Sequence, residues 1–281
     1  MSTAGRIGRG GSALLLAPLV LLLGVIFFYP IGRLLLGSFV APDWSLAHYA
    51  ALASEPLYAR ILLRTAWIAL VVTVLALLLG YPIAYAMSRL KGWQAALVTA
   101  CVMVPLWTSV LVRSYAWIVL LQRNGLVNTW LTNLGLIDAP LRLIYTEGAV
   151  LVAMTHVLLP FMVLPIYASL RGIPPELVRA ARNLGAGGLR SFWHVVLPLS
   201  LPGVSAGALM VFILALGFYV TPALVGGPRT LMIATLIAQQ VTELLNWGLA
   251  GALSTVLLIL TLGAILVFRR LLGVERIVGH G

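Results

Sequence analysis

Charged side chains are scarce in this sequence. Asp, Glu, Lys and Arg make up 9% of the 281 residues and hydrophobic residues 62%, where a soluble domain carries about 25% charged residues. Mean hydropathy is +1.07. Too little polar surface remains to cover a water-soluble globule, which excludes a soluble enzyme, a disordered chain and a coiled coil. The composition is that of an integral membrane protein.

Three further shortages exclude particular chemistries. Cys101 is the single cysteine, so neither an internal disulfide nor a Cys-based metal site is available. Lys91 is the single lysine and follows Leu90, so the Gly-Lys-Ser/Thr end of a phosphate loop is missing and the chain holds no ATP site of that kind. Acids number 7 against 18 bases, and none falls inside the spans set out below, where proton-coupled carriers place relay groups. His156 is the only imidazole within a span and reads either as a hydrogen-bonded packing residue or as a relay. The net charge of +11 and pI near 10.7 would suggest nucleic acid in a soluble protein. No basic run with interleaved aromatics occurs in a polar segment, so nucleic acid is not an expected partner and the lipid bilayer is.

What is present is a series of long charge-free intervals. They place membrane spans at about 12–32, 65–88, 94–113, 148–170, 203–225 and 247–268, each near the roughly 20 residues that cross a 30 Å hydrocarbon core as a helix. Only helices of this length satisfy their backbone in lipid, so all six are helical. A shorter interval, 124–137, contains Asn124, Asn128, Thr132 and Asn133 and reads as interfacial. The first span runs to Tyr29 without a small-x-small cleavage site and is read as retained. With no Pro/Ser linker, low-complexity run or repeat, residues 1–281 read as one transmembrane domain.

An even number of spans leaves both termini on one side. That side collects Arg6, Arg9, Arg89, Lys91, Arg171, Arg179, Arg182, Arg190, Arg269, Arg270 and Arg276, with Glu176 and Glu275 its only acids. Asp43, Glu55, Asp138, Glu147 and Glu243 lie opposite, with Arg33, Arg60, Arg64, Arg113, Arg123, Arg142 and Arg229 spread over longer connections. Basic residues concentrate in short cytoplasmic loops, so both termini are expected in the cytoplasm. Trp44, Trp93, Trp130, Trp193 and Trp247 fall near the expected interfaces.

One cytoplasmic connection, 171–202, is long. Pro174 and Pro175 pre-set a helix start, Glu176 sits in its first turn where the helix dipole favours an acid, and Gly185 is placed for a left-handed cap. Leu177, Ala181 and Leu184 share one face, away from Arg179 and Arg182. Gly187 and Gly188 turn the chain, and Leu189–Val196 can form a second short helix. The segment is therefore either an amphipathic loop resting on headgroups or a docking knob whose small residues, Ala180, Ala181 and Gly185, admit a partner closely.

This loop resembles the signature of the permease subunits of bacterial ATP-binding-cassette importers: Glu-Ala-Ala, three residues, Gly, nine residues, then Ile-x-Leu-Pro. Ala180-Ala181, Gly185 and Val195-Val196-Leu197-Pro198 stand at the matching positions, while Arg179 replaces the Glu of the pattern. Segments Pro105–Trp117, Gly125–Asn128, Leu159–Pro165 and Phe218–Thr230 resemble the spermidine/putrescine branch of these permeases. The resemblance implies an all-α membrane protein with the six-helix type I importer permease fold, resident and multi-pass in the bacterial inner membrane. It implies no catalysis in this chain. Its partners would be a dimeric ATPase that holds ATP and Mg, a second permease subunit of different sequence and a periplasmic solute-binding protein. The coupling residues would be Glu176, Arg179, Ala180, Ala181, Gly185, Leu197 and Pro198. A stand-alone secondary carrier and, behind it, an intramembrane enzyme are the competing classes; no recognisable Ser/His pair or paired intramembrane carboxylates favour the latter.

Candidates for the translocation path or gate are Trp107, Ser109, Arg113, Tyr115, Tyr219, Thr221 and Pro222. Arg113 reads either as a snorkelling side chain with its head at the interface or as a residue facing the cavity. Pro160, Pro165, Pro202 and Pro222 are expected to break the ladders of spans four and five, with Thr221-Pro222 and Gly226-Gly227-Pro228 forming a hinge or a termination. Gly203 and Gly207 form a small-residue face for close packing and a weak sign of a dimer interface. The solute is expected to be a small compound, a polyamine or an amino-acid-like molecule. Because the spans offer aromatics but no acids for a cation, recognition is expected to rest with the binding protein.

Overall fold

The structure is a computed structural model that describes residues 9–40 and 44–272. Arg6, Asp43, Glu275 and Arg276, used above to assign sides, lie outside the described residues. The described residues are helical apart from turns and one isolated bridge between Val40 and Trp44. In chain order the helices are α1 (Arg9–Leu23), α2 (Tyr29–Gly37), α3 (Ala47–Ser54), α4 (Pro56–Arg89), α5 (Gly92–Trp107), α6 (Val110–Leu121), α7 (Leu126–Asn133), α8 (Glu147–Arg171), α9 (Pro175–Asn183), α10 (Gly188–Ser191), α11 (Leu197–Leu216), α12 (Val220–Val225), α13 (Ile233–Thr242) and α14 (Trp247–Leu272). Among the described residues five helices are long and apolar enough to cross a membrane, and six if α5 and the bent segment after it count as one.

Two compact units are present. One gathers the described residues up to Pro56 with Ile237–Val256. In it, Ser38 Oγ donates to the Leu35 carbonyl and bonds the Tyr49 hydroxyl at 2.7 Å, and the Phe39 and Tyr49 rings lie 5.1 Å apart. The stretch Leu15–Gly37 is apolar yet none of its most hydrophobic window is buried by the chain itself.

The other unit, Leu57–Leu236 with the described residues from Leu257, is built around α8. Buried α8 side chains include Met154, Leu158, Met162 and Ile166. α4 supplies Ile61, Thr65, Ile68, Val72, Ala76, Gly80, Ala84 and Met87 at three- and four-residue spacing, one face of a 3.6-residue period. α11 approaches α8 at backbone distance: a Cβ on Gly203 would lie 2.5 Å from the Pro165 carbonyl oxygen, and one on Gly207 3.0 Å from that of Met162. The small-residue face is thus spent on packing within the chain and offers no dimer surface.

Three features depart from the sequence reading. The span expected at 94–113 is not one helix. α5 ends at Trp107, Thr108 and Ser109 are extended, and the segment from Val110 leaves at 104°. The Thr108 hydroxyl donates to the Pro105 carbonyl, offering this turn a partner outside the helical ladder; a charge-free interval cannot show such a bend. The span expected at 203–225 instead belongs to a continuous helical stretch, Gly188–Leu216, which ends at Gly217 before the short α12. Finally, Pro160, Pro165 and Pro202 sit inside unbroken helices. At Pro198 the helix passes through a π turn at Phe192–Val196, in which the Leu197 N–H reaches the Phe192 carbonyl. The wider turn ends one residue before the imino nitrogen and relieves the clash a proline ring makes with the carbonyl four residues back. The same device, Gly24–Phe28, precedes Tyr29-Pro30.

Candidate functional site

The connection after α8 forms a short, polar helix and a turn. Pro175 opens α9 at its first position, Glu176 lies in the first turn and Arg182 in the last. Gly185 adopts φ +85°. Its N–H bonds the Arg182 carbonyl at 2.9 Å and the Ala186 N–H bonds that of Ala181 at 3.0 Å, the paired bonds of a Schellman cap. Ala180 and Gly185 are exposed and Ala181 half-buried. Leu177 is 44% exposed, Leu184 89% and Leu189 75%, a row of large apolar side chains that this chain leaves uncovered. Arg179 Nη2 pairs with Glu176 Oε1 at 3.1 Å, both side chains 70% exposed, an arrangement that adds little stability. Leu197 is half-buried and Pro198 exposed on the helix that follows.

The seven path candidates separate into two groups. Trp107, Ser109, Tyr115 and Tyr219 are exposed, with Trp107 86% open. Arg113, Thr221 and Pro222 are buried between α6, α8 and α12. Ser114 and Thr221 share a 2.9 Å hydrogen bond, joining the helical segments that follow the two breaks. The Trp117 Nε1–H donates to His156 Nδ1 at 3.3 Å, which makes His156 a bonded packing group. Arg113 is 9% exposed; its Nη1 reaches toward the Val157 carbonyl at 3.4 Å and its Nε has no partner. A snorkelling head would stand at an interface, so that reading of Arg113 is excluded.

The sequence reading missed a cluster at the N-terminal end of α8. Arg64, Arg142, Tyr145, Thr146, Glu147, Pro228, Arg229 and Thr230 line a cavity of about 610 Å³. Thr146 caps α8 by accepting from the Ala149 N–H, the Arg64 guanidinium donates to the Arg229 carbonyl, and Trp67 Nε1–H donates to Glu147. Arg64 and Arg229 are 165 positions apart, so no local motif marks them. The available signal was an abundance of arginine on the side where basic residues are normally few. Among the described residues no group of three or more His, Cys, Asp or Glu is arranged to hold a metal ion.

Apolar helices of spanning length, one of them broken, and a capped polar helix at one end are the frame of a multi-pass membrane protein. Residues 73–272 match the family of binding-protein-dependent transport system inner membrane components, and the chain belongs to that family. It is 36% identical over 229 residues to the spermidine/putrescine transport system permease protein PotB of Escherichia coli K12, covering 82% of each chain. It is 35% identical to the inner membrane ABC transporter permease protein YdcU of the same organism, covering 90% of this chain and 87% of that one. A chain of the bacterial alginate ABC transporter, solved in complex with alginate pentasaccharide-bound periplasmic protein, superposes with TM-score 0.75 at 17% identity over 96% of each chain. The fold is that of the type I ABC importer permeases. The chain is a non-catalytic, inner-membrane subunit of a binding-protein-dependent ABC importer.

Proposed function

We propose that the chain forms half of a translocation path for a small solute, a polyamine or an amino-acid-like compound. The path is driven by a separate ATPase dimer that binds ATP and Mg. The observation that carries this is the α9 knob: a helix ended by a Schellman cap, with Ala180, Gly185, Leu177 and Leu184 uncovered. Exposed apolar side chains grouped on one small element mark a contact surface. In this reading Glu176, Arg179, Ala180, Ala181, Gly185, Leu197 and Pro198 meet the ATPase, the termini and α9 face the cytoplasm, and a second, different permease chain completes the path. A periplasmic binding protein delivers the solute at the other end. Closure of the ATPase dimer on ATP moves α9, and the continuous helix running from Gly188 carries that movement into the membrane. The relatives named for spermidine and putrescine favour a polyamine, and the broader branch admits amino-acid-like compounds.

The test is co-purification of this chain with an ATPase whose hydrolysis responds to the binding protein in proteoliposomes. Solute uptake by the purified chain alone, without ATP, would instead establish a secondary carrier.

A further inference from the structure

The cavity beside α8 is placed where topology alone does not call for positive charge. α8 ends at Arg171, beside the α9 knob, and begins at Glu147, beside the cavity. The two sites are therefore about 36 Å apart along 25 residues of helix. If α9 faces the ATPase, the cavity opens on the outer face, where the positive-inside rule thins out basic residues. Yet Arg64, Arg142 and Arg229 converge there on one space of about 610 Å³.

None of the three has a carboxylate within 4.0 Å; the Glu176–Arg179 pair is the only salt bridge among the described residues. Glu147, which shares the cavity, lies in the first turn of α8 and accepts from the Trp67 Nε1–H. The walls are tied in place. Tyr145 N–H bonds the Val225 carbonyl at 3.1 Å, the Gly227 N–H bonds Thr230 Oγ1 at 2.7 Å, and Arg64 braces the Arg229 carbonyl. The backbone of the walls is thus held, and the lining carries three arginines against one glutamate, a net positive charge suited to an anion.

A second observation, independent of the first, lies deeper. Arg113 packs against α8 at Val157, ten residues or about 15 Å further along that helix from Glu147. It is 91% buried by difference from its 9% exposure and keeps an unpartnered Nε. A charge inside a membrane span is retained at considerable cost and marks a functional group whose counter-charge has to be identified. No acid lies inside the described membrane-spanning helices between their end turns to serve as that partner.

We infer that the solute carries a carboxylate, received at the Arg64–Arg142–Arg229 cavity. This rests on the importer reading above and chooses within it: an amino-acid-like compound fits, and a polyamine without a carboxylate is repelled.

The experiment uses the complete assembly, this chain with its second permease, the ATPase and the binding protein that co-purifies, in proteoliposomes. ATP-driven uptake is compared for ornithine and putrescine, which differ by one carboxylate, and for glutamate, 4-aminobutyrate and citrate. Uptake of a carboxylate is expected. Arg142→Gln or Arg229→Gln is expected to raise KM about tenfold with a smaller change in kcat, as loss of a charge-assisted contact does. Arg142→Lys should recover part of the loss. Arg60→Gln, exposed on α4 one turn before Arg64 and outside the cavity lining, should leave KM unchanged.

Preferential uptake of putrescine overturns the inference and leaves the importer reading standing, as does failure to take up any of the carboxylates while ATP hydrolysis still responds to the binding protein. Carboxylate uptake with a KM that neither substitution moves, while affinity for the binding protein falls, makes the cavity a protein-docking site and overturns it too. Absence of both uptake and the ATPase response overturns the importer reading itself.

Discussion

The Ser114 and Thr221 hydroxyls lie 2.9 Å apart and are fully buried, on two helical segments that each begin just after a break in a membrane span. Both segments are short, so this bond ties them to each other while the surrounding packing sets them against α8. Ser114→Ala or Thr221→Val leaves one buried hydroxyl without its partner and should lower stability by about 1–3 kcal/mol, whereas the two together should be nearer neutral. Detergent-solubilised melting temperatures of the four proteins, read as a double-mutant cycle, measure this coupling.

At Gly185, φ is +85°. Any side chain there strains the cap, and a bulky one also fills the small-residue surface beside Ala180. Gly185→Leu should abolish ATP-driven uptake while leaving membrane insertion and expression intact, and Gly185→Asn, which tolerates the left-handed region, should retain more activity. Uptake assays alongside quantitative blots separate coupling from folding. Normal uptake by Gly185→Leu would remove the docking role.

Gly203 presents a different kind of constraint. Its φ is ordinary, but a Cβ would meet the Pro165 carbonyl oxygen and Ser169 Cβ, both at 2.5 Å. Gly203→Leu should separate α11 from α8 and destabilise the unit by about 3 kcal/mol or more. Gly263→Ala, whose added Cβ would meet nothing within 4 Å, should be tolerated. Fluorescence size-exclusion profiles of the two variants provide the comparison.

Replacing Arg113 by Met removes a buried, incompletely bonded guanidinium and keeps much of the side-chain bulk. An arginine at a helix centre costs about 2.5–3.5 kcal/mol on insertion, so Arg113→Met should leave the melting temperature unchanged or higher. Uptake should nevertheless fall at least about tenfold, as expected for a charge kept for transport rather than for stability. Parallel thermal and transport measurements distinguish these roles; a variant that melts lower and transports normally would assign Arg113 to structure.

The features that were legible in sequence are those made by neighbours along the chain. Pro175, Glu176 and Gly185 each act within one helical turn, and each takes the position its chemistry favours. The long apolar helices were legible because lipid demands length and composition, which an interval without charge records directly. The bend at Thr108-Ser109 was not, since two hydroxyl residues look alike inside and outside a helix until their bonds are known. Pro160, Pro165 and Pro202 were misleading for the opposite reason: as residues they oppose helices, yet each sits inside one, and at Pro198 a π turn carries the helix past the ring. The convergence of Arg64, Arg142 and Arg229 depends on tertiary folding, to which no short-range pattern has access.

The π turn at Phe192–Val196 also sets a phase. A five-residue hydrogen-bonded step holds one residue more than the α-helical step it replaces, and each residue of an α-helix turns about 100°. Side chains on the two sides of it therefore follow different angular registers along a single rod. Leu189, before the π turn, and Gly203 and Gly207, beyond it, cannot be placed on one helical wheel. Deleting one residue within Phe192–Val196 would return the turn to an α-helical step, keeping the orientation of the two sides but restoring the clash of the Pro198 ring with the carbonyl four residues back.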